Sequence, residues 1–230
     1  MDDFFCRSEA LLGAQTMEAL RNRRVIIFGV GGVGSYAAEA LIRTGLTHLT
    51  IVDGDTVQPS NLNRQLPATR ASMGMPKVEA LKARLLEINP EAEITTLPIM
   101  ANGEWLMANG LNYDYVIDAI DSVNDKVDLI IYATRARVKI FSSMGAALRF
   151  DPTQVTTGEL MSIKGDALAK AVRARMKKLD VHPYKKVRCV YSTEQAQRCE
   201  TRGSLMQVTA VFGLTLASLV IMDITSQAKL

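Results

Sequence analysis

Short apolar runs alternate with amphipathic segments along the first two thirds of the chain. The apolar runs are rich in β-branched residues, which predicts buried strands; they lie at about 25–29, 49–53, 94–97, 115–120 and 138–142. The segments before and between them have helical spacing; they lie at about 7–20, 35–44, 77–88 and 125–136. Strands that alternate with helices in this way predict an α/β fold, with a doubly wound, mostly parallel sheet and helices on both faces.

The pattern changes after about residue 150. A basic amphipathic helix is predicted over 166–179, and the stretch 204–222 contains no charged residue. That stretch approaches the length of a membrane span, but it also contains Gln207, Gly213 and Ser218. A helix buried on the face of a parallel sheet has the same hydropathy, so we favour a buried helix and expect no transmembrane segment. We predict a single domain over 1–230, with a core at about 20–150 and a C-terminal extension at about 151–230 that faces the substrate.

Composition narrows the class of protein only slightly. The 230 residues are 48% hydrophobic and 22% charged, as in ordinary globular proteins, and a net charge of +3 is too small to indicate nucleic-acid binding by itself. The N-terminus carries acids where a signal peptide would carry Lys or Arg. Cys6, Cys189 and Cys199 form no C-x-x-C pair, so no structural zinc is expected. These features predict a protein of the reducing cytoplasm, with Cys189 in a core strand.

A glycine-rich turn follows the first predicted strand. Gly29, Gly31 and Gly34 have the spacing G-x-G-x-x-G, with Gly32 inside the turn, and a helix begins directly afterwards. Glycine permits the tight turn and lets backbone N–H groups approach a phosphate, while the helix N-terminus favours an anion. Asp53 ends the second strand, roughly 20 residues further on, where a carboxylate can bind ribose hydroxyls. This order predicts a Rossmann-like nucleotide-binding unit; the alternative is a glycine turn used only for packing.

Polar and charged side chains concentrate just past the carboxyl end of the second strand, where open α/β sheets bind their ligands. They are Asp55, Asn61, Arg64, Gln65 and, at the start of a helix, Lys77. An arginine fork, a lysine charge and amide donors suit a triphosphate better than the pyrophosphate of a dinucleotide. The cluster therefore favours ATP over a nicotinamide cofactor. The alternative is that each residue is a solvated surface group.

Two carboxylates, Asp118 and Asp121, lie at the end of another buried strand. Their spacing places them on opposite faces of that strand, so they need not form a pair. One carboxylate at such a position can hold Mg²⁺, which retains most of its waters and takes phosphates of the substrate as further ligands. We predict Asp121 as the metal ligand before Asp118; the alternative is that Asp121 or Ser122 caps the following helix.

The glycine turn and segments 53–55, 60–65, 75–77 and 118–122, in this order, resemble the ubiquitin-activating-enzyme-like adenylyltransferases. The resemblance implies that Asp53 binds ribose and that Asp121 is the Mg²⁺-linked catalytic carboxylate. The implied contacts to ATP phosphates are Asn61, Arg64, Gln65 and Lys77, of which Arg64 and Lys77 also serve catalysis. Family members use an arginine from the partner subunit's N-terminal segment, and Arg7 stands at the matching place. That implies a homodimer in which Arg7 acts in trans.

A stripe of cations follows in the C-terminal third. Between residues 170 and 188 there are eight cations, and the only acid is Asp180. A stripe of one sign can follow a phosphate backbone, whereas a solvated helix face usually mixes signs. The predicted nucleic-acid contacts are Arg173, Arg175, Lys177, Lys178, Lys185 and Lys186.

Segments 142–146, 151–154, 166–173 and 191–194 sharpen the resemblance, because they look like those of the tRNA threonylcarbamoyladenosine dehydratases. The resemblance covers nearly the whole chain. It implies that ATP activates the carboxylate of a modified adenosine beside the anticodon, after which the side chain's own carbamoyl group closes a ring and expels AMP. The implied partners are tRNA and, as a further candidate, a sulfur-transfer protein. One departure is that segment 195–203 is shorter than the matching loop of that family.

Two rival functions stay open. The first is an adenylyltransferase that activates the C-terminus of a small ubiquitin-like sulfur-carrier protein; the missing zinc cysteines and the basic stripe disfavour it. The second is a nicotinamide oxidoreductase or a non-catalytic nucleotide-binding module. The cation cluster disfavours the oxidoreductase, and the presence of Asp121 together with Arg64 disfavours the non-catalytic module.

Overall fold

The computed structural model describes residues 3–201 and 203–228. The helices are α1 (Cys6–Leu12), α2 (Ala14–Arg21), α3 (Gly34–Thr44), α4 (Lys77–Ile88), α5 (Gly103–Asn109), α6 (Val123–Arg135), α7 (Ala167–Leu179) and α8 (Met206–Ala228). The strands are β1 (Arg24–Phe28), β2 (His48–Val52), β3 (Glu93–Leu97), β4 (Tyr115–Asp118), β5 (Lys139–Ser143), β6 (Val155–Glu159) and β7 (Arg188–Ser192). Each strand and helix that the sequence predicted is present within a few residues of its expected bounds, except the first helix, which is divided in two.

The strands form one seven-stranded sheet in the order β3-β2-β1-β4-β5-β7-β6. Every neighbouring pair is parallel except β6 and β7, which run antiparallel. The chain reverses its direction of progress across the sheet between β1 and β4, and ligands of open α/β sheets bind at such a point, outside the carboxyl ends of the strands. The topology therefore places the site beside the ends of β1, β2, β4 and β5.

The side chains of β1 show how the sheet divides the core into two layers. Val25 and Ile27 belong to one hydrophobic cluster, formed with α3, α4 and α8, whereas Ile26 and Phe28 belong to another, formed with α5, α6 and α7. Strands buried on both faces in this way produce the continuous apolar runs of the sequence. The layered architecture confirms the predicted doubly wound sheet with helices on both faces.

The apolar segment near the C-terminus forms α8. It is long and apolar enough to cross a membrane, and 56% of its most apolar stretch is buried. The buried face packs on α3, and a Cβ at Gly213 would overlap the carbonyl oxygen of Val33. Close helix packing of this kind is what the buried-helix interpretation expects.

Three features differ from the sequence prediction. The first helix is broken, because Gly13 has a φ of 84° and separates α1 from α2. The short α5 was not predicted. The edge strand β6 was not predicted either, because no residue in it is fully buried and the apolar periodicity of a core strand is missing.

Candidate nucleotide site

A cavity of about 390 Å³ lies outside the carboxyl ends of β1, β2, β4 and β5. Most of the predicted site residues line it; they are Gly29, Gly31, Gly32, Asp53, Asp55, Asn61, Arg64, Gln65, Lys77 and Asp121. These residues come from segments that are far apart in sequence, and the fold brings them together at the carboxyl ends of the strands. Of the glycines, Gly34 is absent from the lining.

The glycines of the turn have two different tasks. Gly29 has a φ of 84°, and a Cβ there would lie 2.8 Å from the carbonyl oxygen of Ala119. A Cβ at Gly34 would overlap the carbonyl oxygen of Gly29, so Gly34 serves the close packing of helix and strand. At Gly31 a Cβ would extend toward the side chain of Gln65, 3.5 Å from its Nε2. The space over Gly31 is therefore part of the cavity, and a phosphate could approach the backbone there.

Asp53 holds the glycine turn against the end of β2. Its Oδ2 accepts a hydrogen bond from the N–H of Val30 (2.8 Å), and its Oδ1 accepts one from the N–H of Asp55 (2.9 Å). Its side chain is 9% exposed, and this burial raises the pKa of the Asp53 carboxyl above its usual value, although the nearby charge of Lys77 and the two N–H groups oppose the shift. The carboxylate is thus fixed in place and faces the cavity, as a ribose acceptor must.

Lys77 begins α4 and places its ammonium group between two carboxylates. Its Nζ lies 2.6 Å from Oδ2 of Asp55 and 3.9 Å from Oδ1 of Asp53. The Lys77 side chain is 7% exposed, whereas that of Asp55 is 59% exposed. Because water can solvate Asp55 when the lysine leaves it, the ammonium group can exchange this partner for a phosphate at little cost.

The segment after β2 presents three more polar side chains. Asn61 is buried and accepts a hydrogen bond from the N–H of Gln58 on its Oδ1 (3.0 Å). Arg64 donates from Nη1 to the carbonyl oxygen of Ser60 (3.0 Å). Gln65 is buried, and its Oε1 has no hydrogen-bond partner among the described residues. This amide lines the cavity, so a bound nucleotide could provide its missing partner.

Asp118 and Asp121 have opposite environments. Asp121 is exposed, lines the cavity, and makes no hydrogen bond or ion pair within residues 3–201 and 203–228. Asp118 is fully buried and accepts a hydrogen bond from Nζ of Lys126 at 2.7 Å. The following helix is capped by Ser122 without a side-chain hydrogen bond. Asp121 is thus free to bind a ligand, and Asp118 is occupied by a structural ion pair.

The donor set suits a magnesium ion shared with a substrate better than a metal held by protein ligands alone. The described residues contain no group of three or more His, Cys, Asp or Glu side chains that could hold a metal. One exposed carboxylate, Asp121, faces the same cavity as the phosphate-binding candidates. Mg²⁺ is commonly held by one or two carboxylates together with phosphates and water, so the residues present fit this ion.

Other predicted site residues lie elsewhere. Arg7 is exposed on α1 and does not line this cavity. Lys185 and Lys186 precede β7. They therefore lie at the amino ends of the strands, opposite the nucleotide cavity, where they line a separate cavity. Cys189 is buried in β7, as expected, and burial raises the pKa of its thiol to about 12.

Residues 143–147, which form the end of β5 and the loop after it, also line the cavity, although the sequence pattern did not identify them as site residues. The N–H of Gly145 donates to Oδ2 of Asp166 (3.2 Å), which lies 3.8 Å from Nη2 of the buried Arg149. Thr209 of α8 also reaches the lining. A glycine directly after a buried strand, at the same sheet edge as Asp53, was the signal that could have identified this loop.

Known proteins are similar to this chain over nearly its whole length. A model of the ThiF family matches residues 5–229. A tRNA threonylcarbamoyladenosine dehydratase of Bacillus subtilis (strain 168) is 39% identical over 191 residues, which are 83% of this chain and 74% of that protein. A molybdopterin-synthase adenylyltransferase of Escherichia coli (strain K12) is 38% identical over 134 residues, 58% of this chain and 53% of that protein.

Among solved structures, this chain is similar to the E. coli tRNA N6-threonylcarbamoyladenosine dehydratase in complex with ATP. The TM-score is 0.93 at 34% identity, and the likeness covers 99% of this chain and 96% of that one. Likeness over this length includes α7, β6 and β7 as well as the nucleotide half, and it confirms the predicted Rossmann-like fold.

Proposed function

The chain belongs to the ThiF family, and from that premise we propose that it is an ATP-dependent enzyme that dehydrates threonylcarbamoyladenosine in tRNA by cyclisation. The observation that carries the proposal is the likeness, over nearly the full length of both chains, to a tRNA N6-threonylcarbamoyladenosine dehydratase solved with ATP. The cavity lined by the glycine turn, Asp53, Lys77 and Asp121 is the site for that nucleotide.

The proposed chemistry needs orientation and charge neutralisation rather than a nucleophilic side chain. A carboxylate oxygen of the substrate attacks the α-phosphorus of ATP, and pyrophosphate leaves. The carbamoyl group of the same side chain then attacks the activated carbonyl carbon and gives up one N–H proton to solvent, which closes the ring and releases AMP with the original carboxylate oxygen. Lys77 and Arg64 stabilise the negative charge on the phosphates, and Asp53 positions the ribose.

Mg²⁺ is part of the proposal, with Asp121 as its protein ligand. The carboxylate is exposed and unpaired in the described part of the chain, and it shares the cavity with Lys77. When bound, the ion would neutralise charge that develops on the phosphates.

The experiment that tests the function is mass spectrometry of nucleosides from tRNA that carries threonylcarbamoyladenosine, after incubation with the protein and ATP. We expect the threonylcarbamoyladenosine signal to fall and a dehydrated product to rise. The variants Asp121→Ala and Arg64→Ala should each reduce the rate roughly 10²-fold or more, about 3 kcal/mol at the transition state. An unchanged substrate signal with the natural protein would overturn the proposal.

A second candidate function is the adenylation of a small sulfur-carrier protein, favoured by the likeness to a molybdopterin-synthase adenylyltransferase. That likeness spans 58% of this chain, whereas the likeness to the dehydratase structure spans 99%. Exchange of pyrophosphate into ATP that depends on a carrier protein ending in Gly-Gly, without any dependence on tRNA, would favour the second candidate.

We propose further that the active form is a homodimer in which Arg7 completes the partner's site. No residue of α1 is buried, and Leu11 is 85% exposed, so this helix has an apolar surface that another copy could cover. The Arg7 side chain makes no hydrogen bond or ion pair in the described part of its own chain. We place the enzyme in the cytoplasm, and a sulfur-transfer protein remains a predicted partner.

Mixed dimers test the role of Arg7. Arg7→Ala and Asp121→Ala should each be nearly inactive alone. When the two variants are mixed and allowed to exchange subunits, about a quarter of the natural activity should return, because half of the dimers contain one complete site. If Arg7 acted within its own chain, mixing would restore nothing.

A further inference from the structure

A basic surface lies at the amino ends of β5 and β7, which is the end of the strands opposite the nucleotide cavity. It surrounds a cavity of about 650 Å³, whose cationic lining residues are Arg137, Lys139, Lys185, Lys186 and Arg188. All of these side chains are exposed. We call this group the far-edge cluster. The basic stripe of the sequence includes Lys185, Lys186 and Arg188, whereas the fold adds Arg137 and Lys139 from the junction of α6 and β5.

The acids of the same cavity, Glu159 and Asp223, do not balance these charges. Asp223 accepts hydrogen bonds from Nζ of Lys139 (2.8 Å) and from the hydroxyl of Tyr115 (2.9 Å). Glu159 accepts one from the hydroxyl of Ser162 (3.2 Å). Of the five cations, Lys139 alone has an acidic partner in the described part of the chain, at this Asp223.

Three cations of the cluster are unpaired. The side chains of Arg137, Lys185 and Lys186 make no hydrogen bond or ion pair in the part of the chain that the structure describes. Arg188 donates from Nη2 to the neutral hydroxyl of Thr157 (3.0 Å), so its charge is not compensated there. Unpaired cations held around one concave surface create a positive potential that attracts a polyanion.

An exposed aromatic side chain lies beside these cations. Tyr184 is 64% exposed and directly precedes Lys185 and Lys186 in the chain. Its N–H donates to the hydroxyl of Thr134 (3.3 Å), which fixes the loop against α6 while the ring stays in solvent. An exposed aromatic ring on an anchored loop next to unpaired cations is a pattern that binds RNA, because unpaired bases stack on such rings while cations contact the backbone.

Helix α7 connects this surface to the nucleotide cavity. Its N-cap, Asp166, binds the loop that lines the cavity, and Leu168 lies in the cavity wall. Lys170, Lys177 and Lys178 are exposed along the helix, which spans about 20 Å. The chain after α7 leads directly into Tyr184 and the far-edge cluster. The exposed lysines therefore form a path from the reaction site to the far edge.

Two arginines of the basic stripe lie off this path. Arg173 is half-buried and donates from Nη1 to the carbonyl oxygen of Leu160 (2.8 Å). Arg175 is also half-buried, and its charge acts on the carboxylate of Asp128. These side chains support the protein itself, so the nucleic-acid contacts predicted for them are the weakest of the set.

We propose that the far-edge cluster and Tyr184 bind tRNA outside the reaction site, with the exposed lysines of α7 following the backbone between the two. This inference rests on the proposed function, since tRNA is the substrate named there. The structure would then hold the RNA at two points about one helix length apart, and the modified adenosine would enter the nucleotide cavity.

The main test compares the double variant Lys185→Ala/Lys186→Ala with the natural protein in tRNA binding, measured by fluorescence anisotropy over a series of salt concentrations. Loss of two phosphate contacts should weaken binding roughly 10-fold at low salt and make the slope of log K against log salt shallower by about 1.4 to 1.8. A matched control, Arg43→Ala/Lys82→Ala, removes the same charge from α3 and α4 on the other side of the sheet and should bind like the natural protein.

A second pair of variants tests the aromatic contact. Tyr184→Ala should weaken tRNA binding roughly 5-fold or more without changing the salt slope, because stacking releases no counterions. Tyr184→Phe should bind like the natural protein, since the ring is retained. Equal binding by Tyr184→Ala and Tyr184→Phe would overturn the aromatic part of the proposal.

Failure of this inference and failure of the proposed function give different results. If the double lysine variant binds and dehydrates tRNA like the natural protein, the far-edge surface is not a tRNA contact, while the function stands. If the natural protein converts no threonylcarbamoyladenosine and binds no tRNA, the function itself is wrong and the inference falls with it. ATP binding without tRNA should be the same in all variants, which shows that the fold is intact.

Discussion

Two lysine–aspartate pairs lie near the carboxyl ends of β2 and β4, and they differ in the solvent exposure of the carboxylate. Lys77 binds Asp55 at 2.6 Å, and Asp55 is 59% exposed at the rim of the nucleotide cavity. Lys126 binds Asp118 at 2.7 Å, and both side chains have no solvent exposure. The pairs have the same chemistry and nearly the same geometry, but only the first lines the cavity.

The difference shows that burial of a charged residue is not by itself a sign of function. Lys126 also donates to the carbonyl oxygen of Ser143 (3.0 Å), and the hydroxyl of Ser142 donates to Asp118 (2.6 Å). The N–H of Ile120 donates to the other carboxylate oxygen (3.1 Å). This network ties the ends of β4 and β5 together beneath the site, whereas Lys77 can exchange its solvated partner for a ligand.

The largest effect is expected from Lys126→Ala. The substitution leaves the Asp118 carboxylate buried and uncompensated, which should lower the free energy of unfolding by about 3–5 kcal/mol. Urea denaturation at neutral pH measures this loss. The comparison would be sharpened by the double variant Lys126→Met/Asp118→Leu, which removes both charges and should recover much of the stability.

A loss below about 1 kcal/mol in Lys126→Ala would break the comparison, because it would mean that water or a rearrangement solvates Asp118 after all. An equal loss in the single and double variants would contradict the assigned cause, since the cost would then come from packing alone rather than from the unpaired charge.

The next effect is expected from Lys77→Ala, and it concerns rate rather than stability. Removal of the ammonium group should slow ATP-dependent dehydration roughly 10²-fold, because a positive charge that stabilises the transition state is lost. The free energy of unfolding should change less than in Lys126→Ala, because the exposed Asp55 is solvated by water and the buried Asp53 keeps its hydrogen bonds from the N–H groups of Val30 and Asp55. Lys82→Ala, on the same helix, is the matched control and should keep the natural rate. A Lys77→Ala enzyme that is as unstable as Lys126→Ala would show that the two pairs are alike.

The sequence predicted the site that contains the Lys77–Asp55 pair, but it did not predict the buried Lys126–Asp118 pair. The site at the end of β2 is built from signals that are local in sequence: the glycine turn, Asp53 at a strand end, and Lys77 at a helix start. Lys126 was missed, because an isolated lysine in an amphipathic helix usually points to solvent. Its spacing to Ile130 and Ala133, which place it on the buried face of α6, was the available signal.

The basic stripe shows the opposite limit of sequence reasoning. Its residues are close in the chain, but the fold turns Arg173 inward and leaves Lys177 exposed on the same helix. Arg137 joins the cluster only because the parallel pairing of β5 and β7 brings their amino ends together. Sequence spacing predicts a helix face, whereas the partners across a sheet depend on topology that no local pattern encodes.

The smallest effect concerns pH and Asp53, the second carboxylate beside Lys77. Burial raises the pKa of Asp53 above its usual value of 3.8, so in the window between 3.8 and the raised value the folded chain holds a proton that the unfolded chain has released. The contribution of this group to folding stability therefore decreases as pH rises through the window.

Affinity for ATP should increase through the same window, because the ionised carboxylate is the better acceptor for ribose hydroxyls. Calorimetric titration with ATP and thermal unfolding, both between about pH 4 and 8, measure the two trends. The variant Asp53→Asn cannot titrate, and ATP protonates equally in both experiments, so the difference between the proteins isolates Asp53. Identical pH dependence in the natural protein and in Asp53→Asn would contradict this prediction, because the ionisation of Asp53 would then affect neither folding stability nor ATP binding.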